Sequence, residues 1–284
     1  MQSSVYAKIN HFFFETKVSL RYEKEAIAIY CLLNFLFLFP DYSSIISRNG
    51  IIEGSLNGLF SNSQLTPFAL NFMEVKEDIF LLLFWGVYAI SLLMILFRIK
   101  ALLFSIIAWL FHLMIVNASY FFSYGADYFI TFILFVNMLF HLSSYFPYLK
   151  SFTIRLVQIH LCIVYFFAGF GKALGVDWLN GNAIWYVLNN FSQDFVFNIV
   201  DYGMKEICSY LFHMISIAVV VIEIFYPLFM YHNVKSKKIE LLFIVLLHVG
   251  IIIFLHFYTF GSLLILLNLI AWTEVTKNKQ MKII

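Results

Sequence analysis

Eight apolar runs of roughly the length of a bilayer crossing constrain this chain more than any other feature. A membrane-spanning helix needs about 17–25 mostly apolar residues. Windows of this kind lie at residues 26–46, 78–97, 101–119, 127–147, 151–172, 207–231 and 239–256, and an eighth, slightly shorter one lies at 258–273. Of the 284 residues, 62% are hydrophobic and 12% charged, whereas soluble domains have about a quarter charged. We therefore predict an all-α polytopic integral membrane bundle of about eight transmembrane helices, forming a single domain over residues 1–284.

Lysine and arginine are distributed unequally between the segments that join these helices. If the N-terminus is cytoplasmic, the inner segments hold 14 of the 18 basic residues. The remaining four are Arg48, Lys76, Lys172 and Lys205. Cytoplasmic loops carry the excess of basic residues, so we predict a cytoplasmic N-terminal segment, 1–25, and a cytoplasmic tail, 274–284. No small-residue cleavage site follows the first run, which predicts a retained helix and not a signal peptide.

Two long outer loops are predicted at residues 47–77 and 173–206. The second contains "WLNGNAIWYVLNN", which is apolar but too short to span a membrane. Irregular backbone at membrane depth must be buried in protein or line a cavity, so we expect an interfacial or re-entrant helix here. The two loops are predicted to cover an outward-facing pocket.

Several classes of function find no support in the composition. The net charge of +2, without a Lys/Arg-rich run, argues against a nucleic-acid partner. The three cysteines lack CxxC or zinc spacing, so we expect no disulfide. The scattered polar residues His213, Glu223, His248 and His256 lack a metal-ligand spacing, and we expect no metal site. A transporter would show internal repeats and broken helices, which this sequence lacks.

Lys172 admits two interpretations. A lysine at a helix end usually reaches the interface along its own stem and acts as an anchor. The flanking "AGFGKALG" is small and apolar, so neighbouring helices can approach closely and strip the ammonium of water. A lysine without hydration can lose its proton and act as a base. We expect Gly169 and Gly171 to lie at helix–helix contacts.

The periodicity around Lys172 predicts a polar helix face. Gln158, Tyr165 and Lys172 recur every seven residues and so share one side of the helix. A carboxylate within a spanning helix is costly and usually faces a partner. We therefore expect Glu223 to form a hydrogen-bonded pair with either His248 or Lys172.

The stretch "YFFAGFGKALGVDWLNGNA" resembles the signature of the HTTM (horizontally transferred transmembrane) domain. This domain is the membrane module of vitamin K-dependent gamma-glutamyl carboxylases and their bacterial relatives. The matching residues are Tyr165, Phe166, Ala168, Gly169, Lys172, Asp177, Trp178 and Gly181. Weaker similarities are "NASYFFSYGADYFITFILF", with Asn117 and Asp127, and a late pattern of Glu223, Pro227 and His248. The late run "HVGIIIFLHFYTFGSLLILL" is also similar to the type B sporulation-delaying toxin-maturation proteins.

The resemblance implies roles for these residues. In the carboxylases a lysine at this place deprotonates vitamin K hydroquinone, and Lys172 is the position that inherits this role. A reduced quinone of the vitamin K or menaquinol type would be the cofactor. The implied pocket residues are Tyr165, Asp177, Trp178, Asn117, Asp127, Glu223 and His248. The family carries a histidine where this chain has Ala118, and a soluble substrate-binding region that has no counterpart in these residues.

Two functions therefore stay open. The first is a carboxylase-like enzyme that uses Lys172 on a quinol or peptide substrate at the extracytoplasmic side. The second is a non-catalytic or partner-dependent subunit in the maturation or export of a secreted peptide toxin, with a small peptide or a soluble subunit as partner. Either would be a multi-pass protein of the bilayer, at the cell membrane in a bacterium. Asp127 is also explained as a helix cap, and Asp177 with Trp178 as an interfacial turn.

Overall fold

The computed structural model describes residues 2–15, 22–46, 77–119, 123–191 and 202–272. All regular secondary structure within these ranges is helical. The helices are α1 (Gln2–Phe14), α2 (Glu23–Ile45), α3 (Glu77–Leu96), α4 (Ala101–Ala118), α5 (Gly125–Leu142), α6 (Tyr148–Ala173), α7 (Val176–Leu179), α8 (Asn182–Phe191), α9 (Tyr202–His232), α10 (Val234–Leu255) and α11 (Tyr258–Trp272). Contacts divide the chain into two compact units, Met1–Thr153 and Ile154–Ile284.

The eight predicted spans each coincide with one helix, namely α2 to α6 and α9 to α11. Within the described ranges, seven of these helices are long and apolar enough to cross a membrane. The eighth, α11, is apolar but has only 15 residues. The protein is therefore an all-α, multi-pass integral membrane protein. The break before α11 lies at His256 and Phe257, where His256 adopts a left-handed backbone with φ 55°.

The first unit is built from antiparallel neighbours. Helix α4 packs against α3 and α5, and α2 packs against the same two helices. Its interior is aromatic: the rings of Phe35 and Tyr42 both stack on Trp85, with centroids 6.0 and 6.2 Å apart. The outward faces are apolar too, as at Leu82, which is 73% exposed. Apolar faces on both sides are what helices surrounded by lipid require.

The second unit places α9 against α7, α8 and α10, and α10 against α11. The α10–α11 hairpin is tight at Gly261, where an added Cβ would lie 2.5 Å from Ile252 Cγ1. Gly181, between α7 and α8, has φ 80°, which favours glycine, and an added Cβ there would lie 2.7 Å from His213 backbone atoms. These close approaches fix the ends of the helices that carry the site described below.

The predicted loops are only partly within the described residues. Helix α8 confirms the helix expected in "WLNGNAIWYVLNN", and its interfacial location stays a prediction. Residues 47–76, 192–201 and 273–284 lie outside the described residues, and with them most of the first outer loop and the tail. The N-terminal segment contains α1, which hydropathy alone did not indicate; its Phe14 ring stacks on Phe152, with centroids 5.8 Å apart. The orientation in the membrane and the single-domain boundary stay predictions.

Candidate functional site

One face of α6 carries three polar side chains, which together are bonded to three other helices, α9, α10 and α11. Gln158 Nε2 donates to the backbone oxygen of Ala271, at 2.7 Å. The Tyr165 hydroxyl oxygen lies 2.7 Å from His248 Nε2. Lys172 is bonded to Glu223 on α9. The seven-residue spacing therefore predicted the shared face correctly, because positions seven apart are two helical turns apart.

Lys172 and Glu223 form an ion pair within the spanning region. The Lys172 ammonium donates to both carboxylate oxygens, at 2.8 and 2.6 Å. The carboxylate side is nearly inaccessible: the Glu223 side chain is 6% exposed, against 24% for Lys172. The Trp178 ring also lies against the ammonium, with its centroid 5.3 Å from Nζ. Of the two partners predicted for Glu223, the structure selects Lys172.

Gly169 brings α6 and α9 together at this pair. An added Cβ would lie 2.7 Å from Ile224 N and 2.8 Å from Glu223 Cβ. The predicted helix contact at Gly169 is therefore confirmed. The corresponding prediction for Gly171 is wrong, because this residue is exposed and a Cβ there would meet no described atom within 4 Å. Gly171 is two residues further along the helix and so faces away from α9.

A buried hydrogen-bond network surrounds Tyr165. Asn268 Nδ2 donates to the Tyr165 oxygen at 2.9 Å, so the Tyr165 proton goes to His248 Nε2. Tyr226 donates to Asn268 Oδ1, and Trp272 Nε1 donates to the Tyr226 oxygen, both at 2.7 Å. With Nε2 accepting, the neutral imidazole of His248 carries its proton on Nδ1, a buried atom that has no hydrogen-bond partner among the described residues.

The network and the ion pair lie on the same face of α6, since Tyr165 and Lys172 are seven residues apart on that helix. Four of the residues implied by the resemblance are bonded in two pairs along this face, Lys172 with Glu223 and Tyr165 with His248. Trp178 joins them through its ring. Asp177 does not, since it is exposed on α7 and makes no ion pair in the described part of the chain.

Asn117 and Asp127 belong to the first unit. Asp127 closes the N-terminus of α5: Oδ2 accepts from the Tyr124 backbone N–H at 3.0 Å, and Oδ1 accepts from the Tyr42 hydroxyl at 2.7 Å. The capping role predicted for Asp127 is therefore confirmed. Asn117 is exposed near the end of α4. The geometry of this unit gives no reason to assign Asn117 a chemical role.

Three network residues were not anticipated from the sequence: Asn268, Tyr226 and Trp272. The signal for Asn268 was present, because an amide within the apolar run "LLILLNLIAW" must find a partner in a membrane. Tyr226 and Trp272 carried no such signal, since both residue types are common in apolar helices and at their ends.

The fold and this site define a multi-pass, all-α membrane protein with an ion pair and a polar network inside its second unit. Comparison with known proteins finds no matching protein-family model, no similar curated protein and no similar solved structure. Within the described ranges, no group of three or more His, Cys, Asp or Glu side chains is placed to hold a metal ion.

Proposed function

We propose that the chain is an HTTM-type, carboxylase-like membrane enzyme in which Lys172 acts as a base at the extracytoplasmic side. The observation that carries this proposal is the Lys172–Glu223 pair. It combines a partly accessible amine with a carboxylate that is 6% exposed, inside a spanning region. Anchoring a helix end requires no buried carboxylate, whereas acid–base chemistry uses one.

The pair can supply a neutral amine without creating net charge. When a charged pair is buried, the free-energy cost of removing both groups from water offsets much of their mutual attraction. The proton can therefore pass from Nζ to Glu223 over the 2.6 Å bond. The neutral amine then takes a proton from an acidic O–H of the substrate. The O–H bond breaks, an N–H bond forms, and the new ammonium pairs with the substrate anion while Glu223 remains protonated.

A quinol is the substrate class that fits the surroundings of Lys172. The Trp178 ring, whose centroid lies 5.3 Å from Lys172 Nζ, provides an aromatic surface beside the amine. A quinol ring dissolved in the bilayer can lie against such a surface and present its hydroxyl to the amine. A peptide substrate that enters from the outer side is the other possibility that the resemblance implies.

The competing proposal is a partner-dependent, non-catalytic subunit that helps to mature or export a secreted peptide toxin. One observation favours it: both Glu223 oxygens and the Trp178 ring engage Lys172. A lysine held by so many contacts also serves to join α6, α7 and α9. In this proposal Lys172 needs only its positive charge.

Substitution of Lys172 distinguishes the two proposals. The parent protein is reconstituted with menaquinol or vitamin K hydroquinone, and quinol consumption and oxygenated products are followed by mass spectrometry. Arginine stays protonated in proteins, so Lys172→Arg and Lys172→Ala should both abolish turnover, and a small added amine should partly restore Lys172→Ala. Lys235→Arg, an exposed lysine on α10, is the matched control. Full activity in Lys172→Arg, or no quinol consumption by the parent, would favour the subunit over the enzyme.

A further inference from the structure

A cavity of about 370 Å³ lies in the first unit, remote in sequence from the polar face of α6. It is formed where α2 and α4 begin and α3 and α5 end. The polar side chains that line it are Glu23, Lys24, Glu25, Arg98, His141 and Ser144. In a chain with only 12% charged residues, such a concentration at one end of four helices calls for a chemical explanation.

The charges lining this cavity cancel. Glu23 and Glu25 are matched by Lys24 and Arg98. Arg98 Nε donates to Glu25 Oε1 at 2.6 Å, so this pair is already formed. A ligand of a single sign would meet two repelling groups. A zwitterion, in contrast, can place its anionic part against the bases and its cationic part against the acids.

Bonding capacity also remains in the cavity. Lys24 makes a long bond of 3.4 Å to Ser144 Oγ, and an ammonium has three donors. His141 is 8% exposed, and its buried Nε2 has no hydrogen-bond partner among the described residues. A buried polar atom without a partner is costly. A ligand that brings acceptor oxygens would use the remaining donors of Lys24, whereas His141 Nε2 is enclosed by protein.

The position of the cavity indicates where such a ligand resides. The positive-inside distribution predicts that this end of the helices is cytoplasmic, at the level of the lipid headgroups. Phe97 and Ile99, on either side of Arg98, are 66% and 50% exposed and form an apolar edge. Ligand pockets measure roughly 300–1,000 Å³, so 370 Å³ accommodates a headgroup but not acyl chains.

We propose that this cavity binds a zwitterion composed of a phosphate and a primary amine, as in ethanolamine phospholipids. The phosphate oxygens face Lys24 and Arg98, and the ammonium donates to Glu23 and Glu25. Choline lipids fit poorly because a quaternary ammonium cannot donate hydrogen bonds to carboxylates. Phospholipids with a glycerol headgroup bring the anionic phosphate but no ammonium to pair with Glu23 and Glu25.

The source of this headgroup is either an ethanolamine phospholipid or water-soluble phosphoethanolamine, and one experiment separates them. The purified, delipidated full chain is heated with short-chain ethanolamine, choline or glycerol phospholipids of equal acyl length, or with phosphoethanolamine. The ethanolamine lipid should raise the unfolding temperature by several degrees and the other two lipids should not. An equal rise with phosphoethanolamine supports the headgroup chemistry and assigns a soluble ligand; a rise with the lipid alone assigns a membrane ligand.

Variants then test the lining residues. Glu23→Gln and Lys24→Gln should each weaken binding of the ethanolamine lipid by about 10-fold or more, as expected for a hydrogen bond to a charged group. Lys235→Gln, an exposed lysine at the start of α10, should bind like the parent. Native mass spectrometry measures the bound lipid independently of stability. Equal stabilisation by all three lipids, or unchanged binding in both cavity variants, would overturn the proposal.

Discussion

Gly169→Ala should strongly destabilise the protein although it adds a single methyl group. The new Cβ would lie 2.7 Å from Ile224 N and 2.8 Å from Glu223 Cβ, where ordinary contacts begin at 3.4 Å. The two helices must therefore separate by about 0.7 Å or more, since backbone atoms cannot rotate aside. Overpacking of this kind costs about 1–3 kcal/mol. The separation also stretches the Lys172–Glu223 bonds, so we expect a total loss of about 2–4 kcal/mol in the free energy of unfolding.

Gly171→Ala is the matched control for this prediction. Its Cβ would meet no described atom within 4 Å, and alanine favours a helix over glycine by up to roughly 1 kcal/mol. The two variants share one helix, one residue type and one substitution. Equilibrium unfolding in mixed micelles of detergent and SDS, followed by tryptophan fluorescence, measures the difference. If Gly169→Ala is as stable as Gly171→Ala, the close approach of α6 and α9 is not present and the reasoning fails.

Three further results are expected. Tyr165→Phe removes a hydroxyl that His248 and Asn268 share, so two buried nitrogens lose a partner and unfolding should become easier by about 1–3 kcal/mol in the same assay. Tyr42→Phe removes a donor to a buried carboxylate, and we expect a loss of about 1.5–3 kcal/mol. Lys237→Cys, in a background without native cysteines, should react with an impermeant maleimide only in opened cells, because the charge distribution predicts that the N-terminal end of α10 is cytoplasmic.

The two tyrosine predictions have control variants. Tyr210→Phe and Tyr128→Phe alter tyrosines that are 84% and 48% exposed, and both should unfold like the parent. If they lose as much stability as Tyr165→Phe and Tyr42→Phe, the buried hydrogen bonds are not the cause. Labelling of Lys237→Cys in intact cells would contradict the predicted orientation and, with it, the outer location of Lys172.

The sequence predicted the helices well because hydropathy and length are nearly sufficient for a spanning segment. It predicted their ends less well, since those depend on capping. Helix α10 begins at Val234, not at residue 239, because Asn233 Oδ1 accepts from the Ser236 N–H at 2.9 Å. The fourth window extended to Pro147, but α5 ends at Leu142. Proline lacks the N–H that would bond the carbonyl of residue 143 and disfavours helical backbone in the residue before it, and hydropathy does not register either effect.

The sequence predicted which side chains share a face of α6, but not which partners they bond on the other helices. Residues seven apart on α6 must share a side, so the grouping of Gln158, Tyr165 and Lys172 followed from periodicity. The partner of Glu223 did not follow, because Lys172 is 51 residues away in sequence and the choice depends on how α6 and α9 pack. The small residue that sets this packing is Gly169, where the apolar, small-residue pattern predicts a helix contact correctly. The same pattern predicts a contact at Gly171 wrongly, because composition does not indicate which side of a helix a glycine faces.

The environment of Glu223 also bears on whether Lys172 is an anchor or a base. A lysine that only anchors a helix end would be satisfied by water and phosphate at the interface. Here it is bonded instead to a carboxylate whose side chain is 6% exposed, and burying such a group in a span costs several kcal/mol if it is left alone. If Lys172 only anchored the helix, the buried carboxylate of Glu223 would have no use, because an apolar residue in its place would remove the free-energy cost of burying a charge. The carboxylate is accounted for if it exchanges a proton with Lys172, and the arginine substitution tests that exchange because arginine preserves the charge and prevents the transfer.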